Sequence, residues 1–326
     1  MRYISTTWVT CDTVADITET FVDPNEHNIV VKSGTYDFSN GTLVIAGDRR
    51  IKFIGDVTFQ NLTLQTKCAN DTNFYSDYTN SECYWDGVDS FDRNGGASWS
   101  GDSTWKIFVR DAWYDIASVA SAAIVTVQAP VASGLDGTNY QRYVLCVPDE
   151  NLFMEGKLTL DGLDAGVDFF GLANSSLDGL DIIVREEDVG YGIRFRHCAS
   201  VLLPAVRWEH SDMDLSSASV DVLEVSNCLH AVSRKWFVGD ITSDENNTND
   251  LVGIKMNYCQ DVSIVDLFVS GINRTTGTAD ATGVHCDYGE SCRVEGHVVS
   301  IVSGVGDDYN YQDTNGTNNS MTIIAR

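Results

Sequence analysis

The sequence predicts an all-β protein: a parallel β-helix, or solenoid of stacked coils, with an aromatic-rich insertion. Three observations carry this. One line of sequence is written three times with a cysteine in the same place, the apolar residues around that cysteine alternate with period two, and proline is scarce. The copies are "GIRFRHCASVLLPAVRW" from Gly192, "VLEVSNCLHAVSRKWFV" from Val222 and "GIKMNYCQDVSIVDLFVSG" from Gly253, which place Cys198, Cys228 and Cys259 at nearly equal intervals along the chain. Five residues before each cysteine stand Ile193, Leu223 and Ile254, and three before stand Phe195, Val225 and Met256. Eight after come Val206, Trp236 and Leu267, and ten after come Trp208, Val238 and Val269. Alternation of this kind belongs to strands, not to helices.

A fourth copy from Gly283 places Gly289 at the cysteine position, and a looser one from Val167 brings Ala173 near it. Helical repeats of this length need long runs at spacings of three and four. Here the apolar runs are short, rich in Val and Ile, and broken by Gly, Asn, Asp and Ser. Stacking each run on its copy by parallel pairing buries the alternating positions. With only 4 prolines in the chain, few ladder donors are lost. Equivalent residues of stacked coils lie roughly 4.8 Å apart, so Cys198, Cys228 and Cys259 are expected to form a structural ladder of small buried thiols. A straight column does not converge on a metal tetrahedrally, and no metal or other cofactor is expected.

Shorter rungs occupy the N-terminal part, where "NIVVKSGTYDFSNGTLVIAGDRRIKFIGDVTFQNLTLQ" from Asn28 gives short strands between SG, SNG, AGD and IGD turns. The "VKSGTYDF" run at Val31–Phe38 and the coils at Gly192 and Gly253 resemble those of the pectin-lyase-like right-handed parallel β-helix superfamily, viral and phage tailspikes among them. The resemblance covers 28–64 and 153–305 and implies architecture. Activity does not follow, because the superfamily includes polysaccharide lyases, glycoside hydrolases and inert binding shafts. The expected organisation is an N-terminal segment at 1–27, first coils at 28–64, an insertion at 65–152, and the main β-helix with the C-terminal end at 153–326.

In the insertion the rung pattern fails, and 11 aromatic residues fall among the 41 from Phe74 to Tyr114. Packing a small inserted domain is one use for them. Display as flat platforms that stack on sugar rings is another, with neighbouring carboxylates accepting hydroxyl hydrogen bonds. Trp85 in "ECYWDG" and Trp99 in "GASWSG" stand in polar loops, which marks them, with Tyr84, Asp86 and Asp92, as the candidate ligand-binding residues. Trp105 and Trp113 flank an apolar run and are expected in a core. Cys68 and Cys83 flank "ANDTNFYSDYTNSE" and suit a disulfide staple, although nine cysteines leave at least one outside any intrachain pair.

Composition narrows the function. With 21 basic against 47 acidic residues the net charge is −26, which disfavours nucleic acid and anionic membranes as partners. No apolar run approaches the roughly 20 residues of a membrane span, so no membrane insertion is expected. No export-signal core is apparent at the N-terminus either. Motifs for nucleotide, zinc-protease and serine-hydrolase chemistry are absent. Glycoside cleavage needs two carboxylates roughly 5 to 9.5 Å apart. The acidic groups available are Glu82 with Asp86, Asp89 and Asp92; Glu186, Glu187 and Asp188; and Glu209, Asp212 and Asp214. Each reads first as a solvated turn, so no catalytic residue is assigned. His197 and His230, beside ladder cysteines, are expected on the coil surface.

The sequence therefore points to a virion surface protein in an extracellular setting, a tail spike, fibre or capsid decoration. Its expected partners are a host-surface carbohydrate or glycoprotein, other virion proteins, and two further copies of itself in a homotrimer. The alternative is a virion-borne or secreted polysaccharide depolymerase.

Overall fold

The fold is taken from a computed structural model that describes residues 7–70, 82–85, 90–93, 105–109, 112–121, 124–128, 141–185, 192–212, 219–243, 249–274, 276, 278, 280–303 and 306–325. The chain is a parallel β-helix. Each coil lays short runs on three faces. In the second full coil these are 50–54, 57–60 and 62–66, which stack in parallel on 28–32, 34–37 and 41–45 beneath and on 152–155, 158–161 and 163–168 above. The coils lengthen along the chain. Near the start Ile29 pairs with Ile51, whereas further on Ile193 pairs with Leu223 and Leu223 with Ile254, each a longer step in sequence. The added residues fall between the second and third faces.

A single core runs through the stack from Cys11 to Ile301. The apolar residues five and three before the cysteines are all turned inward, and Phe195, Val225 and Met256 follow one another in register. Cys198, Cys228 and Cys259 are buried thiols in one column. Each thiol donates to the carbonyl of the inward residue one coil below: Cys198 to Phe169 at 3.5 Å, Cys228 to Phe195 at 3.3 Å and Cys259 to Val225 at 3.2 Å. The ladder thus fills a tight corner and supplies weak donors to carbonyls there. Leu172, not Ala173, takes the corresponding place one coil earlier, because Ala173 pairs with Ala199.

The corner is sharp because the residue before each cysteine is left-handed: His197 (φ 55°), Asn227 (51°) and Tyr258 (51°), followed by Tyr288 (51°) before Gly289. Bulky side chains rarely adopt this region. Tyr258 and Tyr288 gain from it a parallel stack on the outer surface, with centroids 4.6 Å apart and planes 3° apart. Gly289 stands at the fourth cysteine position because the space is already taken: a Cβ there would lie 2.7 Å from the sulfur of Cys286.

From Val9 onward the N-terminal segment belongs to the stack. Val9–Cys11 pairs in parallel with 29–31, and the helix Val14–Thr20, capped by Thr13 Oγ1 accepting from the Asp16 N–H at 3.1 Å, covers the open end with Ile17 and Phe21. A solenoid needs such a cap because its terminal coil has no copy to pack against.

Candidate functional site

Between Thr66 and Asp149 the chain leaves the stack and forms a closed six-stranded antiparallel barrel from 82–85, 90–93, 106–109, 112–119, 124–127 and 141–146. Phe91, Ile107, Val109, Tyr114, Ile116, Val125 and Val127 form its core, with Trp105 packed against them. Phe108 and Trp113 face the shaft instead. Phe108 meets the His197 ring edge-on at 5.1 Å, and Trp113 donates its indole N–H to the His197 carbonyl at 3.2 Å. Phe170 lies 4.8 Å from the same imidazole and beneath the Arg196 guanidinium, which is paired with Asp168. His197 is therefore a docking residue, 1% exposed, and not a coil-surface one. Burial lowers its pKa to about 3, so the ring is neutral. The barrel supplies the cover that the surface expectation could not foresee.

At the root of the barrel lies a cavity of about 650 Å³, walled by the turn at 46–49, the exit at Lys67 and Cys68, the return at 147–151 and Lys106 of the barrel. Asp149 ties these strands together. One carboxylate oxygen accepts from the Gly47 N–H at 2.8 Å and the other from the Cys68 N–H at 2.6 Å. Burial raises its pKa to about 6 against these bonds and the nearby Lys67 and Arg49 charges. Gly47 is required by the close approach, since a Cβ would lie 2.6 Å from the backbone of Glu150. Arg49 donates to the carbonyls of Gly47 at 2.5 Å and Asp23 at 2.7 Å. Lys106 bridges Glu150 at 2.5 Å and Asp115 at 3.0 Å, and Asn151 donates to Asp48 at 3.0 Å.

A second cluster lies on the outside of the third face. In register, Asp168, Arg194, Glu224, Lys255 and His285 follow one another up the stack, alternating in sign until the histidine. Arg194 bridges Glu224 at 3.2 Å, and Lys255 bridges Asp221 at 3.1 Å. Asp221 is 8% exposed, and its other oxygen has no hydrogen-bond partner among the described residues. Burial, with Glu224 nearby, raises its pKa to about 6 against the pull of Lys255 and Arg194. The sequence reading missed this row. Its signal was the position four residues before each cysteine, filled by Arg194, Glu224 and Lys255, and by His285 four before Gly289.

Of the candidate binding residues, Asp92 is half-buried in the barrel strand 90–93, opposite Tyr84 and Ile124. Tyr84 and Trp85 lie in the strand 82–85, with side chains outside the described set. Asp86 and Trp99 lie outside the described residues. So do Asp89, Glu186, Glu187, Asp188 and Asp214, and the side chains of Glu82, Cys83, Glu209 and Asp212, which leaves the Cys68–Cys83 staple outside the description too.

No protein-family model and no curated protein matches the chain. Among solved structures it is similar to the tailspike gp61 of Pseudomonas phage phi297, at 9% identity and a TM-score of 0.38 over 90% of this chain and 65% of that one, so it spans less than two thirds of that tailspike. The tailspike gp54 of Acinetobacter baumannii bacteriophage AP22, solved with an A. baumannii capsular saccharide, is similar at 12% identity and 0.28, over 87% of this chain and 72% of that one. PfbA, a surface adhesin of Streptococcus pneumoniae, is similar at 10% identity and 0.32, over 96% and 78%.

Proposed function

We propose that the chain serves on a virion surface, as a tail spike, fibre or capsid decoration, and binds a host-surface glycan or glycoprotein through its barrel. What supports the reading is how the insertion is mounted. A rigid stack buries its own coils, and an aromatic-rich module is clamped to it by Phe108, Trp113 and His197. Rigid scaffolds carrying irregular loops are where proteins commonly meet partners. The core and clamp account for Phe91, Tyr114, Phe108 and Trp113. The proposal gives Trp85 and Trp99 to the ligand, supported by Tyr84, Asp86 and Asp92. Alanine at Trp85 or Trp99 is expected to weaken attachment by about 1 to 3 kcal/mol without changing the melting curve. Unchanged binding by a stably folded variant would remove the rings from the receptor site.

The shaft is assigned to a homotrimer, an assembly that typically buries several thousand Å² when obligate. Light scattering is expected to give three copies per particle. A monomer at both low and high salt would end that assignment.

One observation favours a second reading, polysaccharide cleavage. The Asp221 and Glu224 carboxylates share the third face, one Asp221 oxygen has no hydrogen-bond partner among the described residues, and glycoside cleavage requires a pair of carboxylates. Reducing-end release from host capsular polysaccharide, lost in Asp221→Asn, is the outcome expected of a depolymerase. No release would leave the binding reading alone.

A further inference from the structure

We infer that the cavity at the barrel root binds the carboxylate of an acidic saccharide, with Lys67 as the anchoring cation. The inference rests on the glycan-binding reading and names the chemistry of one of its subsites. Its starting point is the local charge. On a chain of net charge −26, the lining of this cavity is balanced, with Arg49, Lys67 and Lys106 set against Asp48, Asp149 and Glu150.

The acids that accompany them are already engaged. Asp149 has both oxygens on backbone N–H groups of the chain crossings, Glu150 is paired with Lys106, which it shares with Asp115, and Asp48 accepts from Asn151. Two cations remain without a carboxylate in contact. Arg49 donates to the carbonyls of Gly47 and Asp23. Lys67 is exposed and makes no ion pair among the described residues. Arg49 is buried and contributes its field, while Lys67 can reach a ligand directly.

The remaining lining suits a sugar. Val22, Pro24, Val147 and Pro148 offer apolar surface to a ring face, and the volume of about 650 Å³ lies in the range of small-molecule sites, which favour junctions between structural units. A neutral sugar would leave the charge of Lys67 unanswered, and a bare inorganic anion would leave the apolar wall uncovered. A uronic acid answers both.

The test titrates the full chain by calorimetry with sodium glucuronate, glucose and inorganic phosphate at matched ionic strength. Binding of host polysaccharide is measured in parallel. Saturable binding of glucuronate is expected, with glucose and phosphate at least tenfold weaker. Lys67→Gln should lose about tenfold for glucuronate with its melting curve unchanged, and Lys32→Gln, remote from the cavity, should lose nothing. Equal binding of glucose and glucuronate overturns the inference. So does phosphate binding as tightly as glucuronate, or glucuronate affinity indifferent to Lys67→Gln. Polysaccharide binding that glucuronate does not compete overturns the inference and leaves the wider reading standing, whereas binding of neither overturns both.

Discussion

Replacing Trp236 with alanine is expected to lower the unfolding free energy by about 3–5 kcal/mol, the range for deleting a large aromatic from a packed core. The indole is fully buried. It stacks on Phe195 with centroids 6.2 Å apart and planes 19° apart, and follows Val206 in the inward column of the second face. Its N–H donates to the Pro204 carbonyl at 2.9 Å. Alanine therefore leaves both a cavity and a buried carbonyl without its donor, and the coils above and below cannot collapse into the gap without breaking their own ladders. Trp236→Phe, which retains most of the ring and loses the bond, should cost about 1–3 kcal/mol. Chemical denaturation measures both. Because a solenoid couples mainly through neighbouring coils, amide exchange should show the loss concentrated in the strands at 205–212, 236–243 and 263–274. A loss below about 1 kcal/mol for Trp236→Ala would mean the indole is outside the core and the register wrong.

The second large effect is on pH dependence. Burial raises the pKa of Asp149 and of Asp221 from 3.8 to about 6, so the folded state holds each proton more tightly than the unfolded chain does. The contribution of each is complete below pH 3.8 and is lost as pH rises through about 6. A rise of this size corresponds to about 3 kcal/mol per group. His197 runs the other way. Its pKa falls from 6.5 to about 3 on burial, and its contribution, present above pH 6.5, is lost as pH falls toward 3. These opposing trends flatten the wild-type profile, and a variant separates them. The groups that bear on Asp221 are Lys255, Glu224 and Arg194. Between pH 7 and pH 5 the wild type should gain about 1 kcal/mol relative to Asp221→Asn, read as the change in their stability difference by denaturation at the two pH values. A difference that stays constant would show that Asp221 titrates as an ordinary carboxylate.

The helix was legible in the sequence because each coil buries its face against a copy of itself. Contacts between residues one coil apart then appear as periodicity, and Cys198, Cys228 and Cys259 with their inward neighbours could be placed from spacing alone. Even the charged row of Arg194, Glu224 and Lys255 stood at a fixed place in the repeat. Stacking paired Arg194 with Glu224, whereas Lys255 bridges Asp221, outside the row, whose burial came with the folded third face.

Other features have no period to betray them. Asp149 and Gly47 are far apart in the chain and meet only because the barrel leaves and rejoins the same corner. His197 was assigned to the surface from its neighbours in sequence, and it is buried because Phe108, far back in the chain, closes over it. The aromatic-rich segment announced an interruption, but antiparallel closure decided which rings became core and which became clamp. Sequence alone determined the repeating coil, since its partner is its own copy. Tertiary structure decided the cavity, the clamp and the shifted carboxyls, which depend on single long-range meetings that occur once.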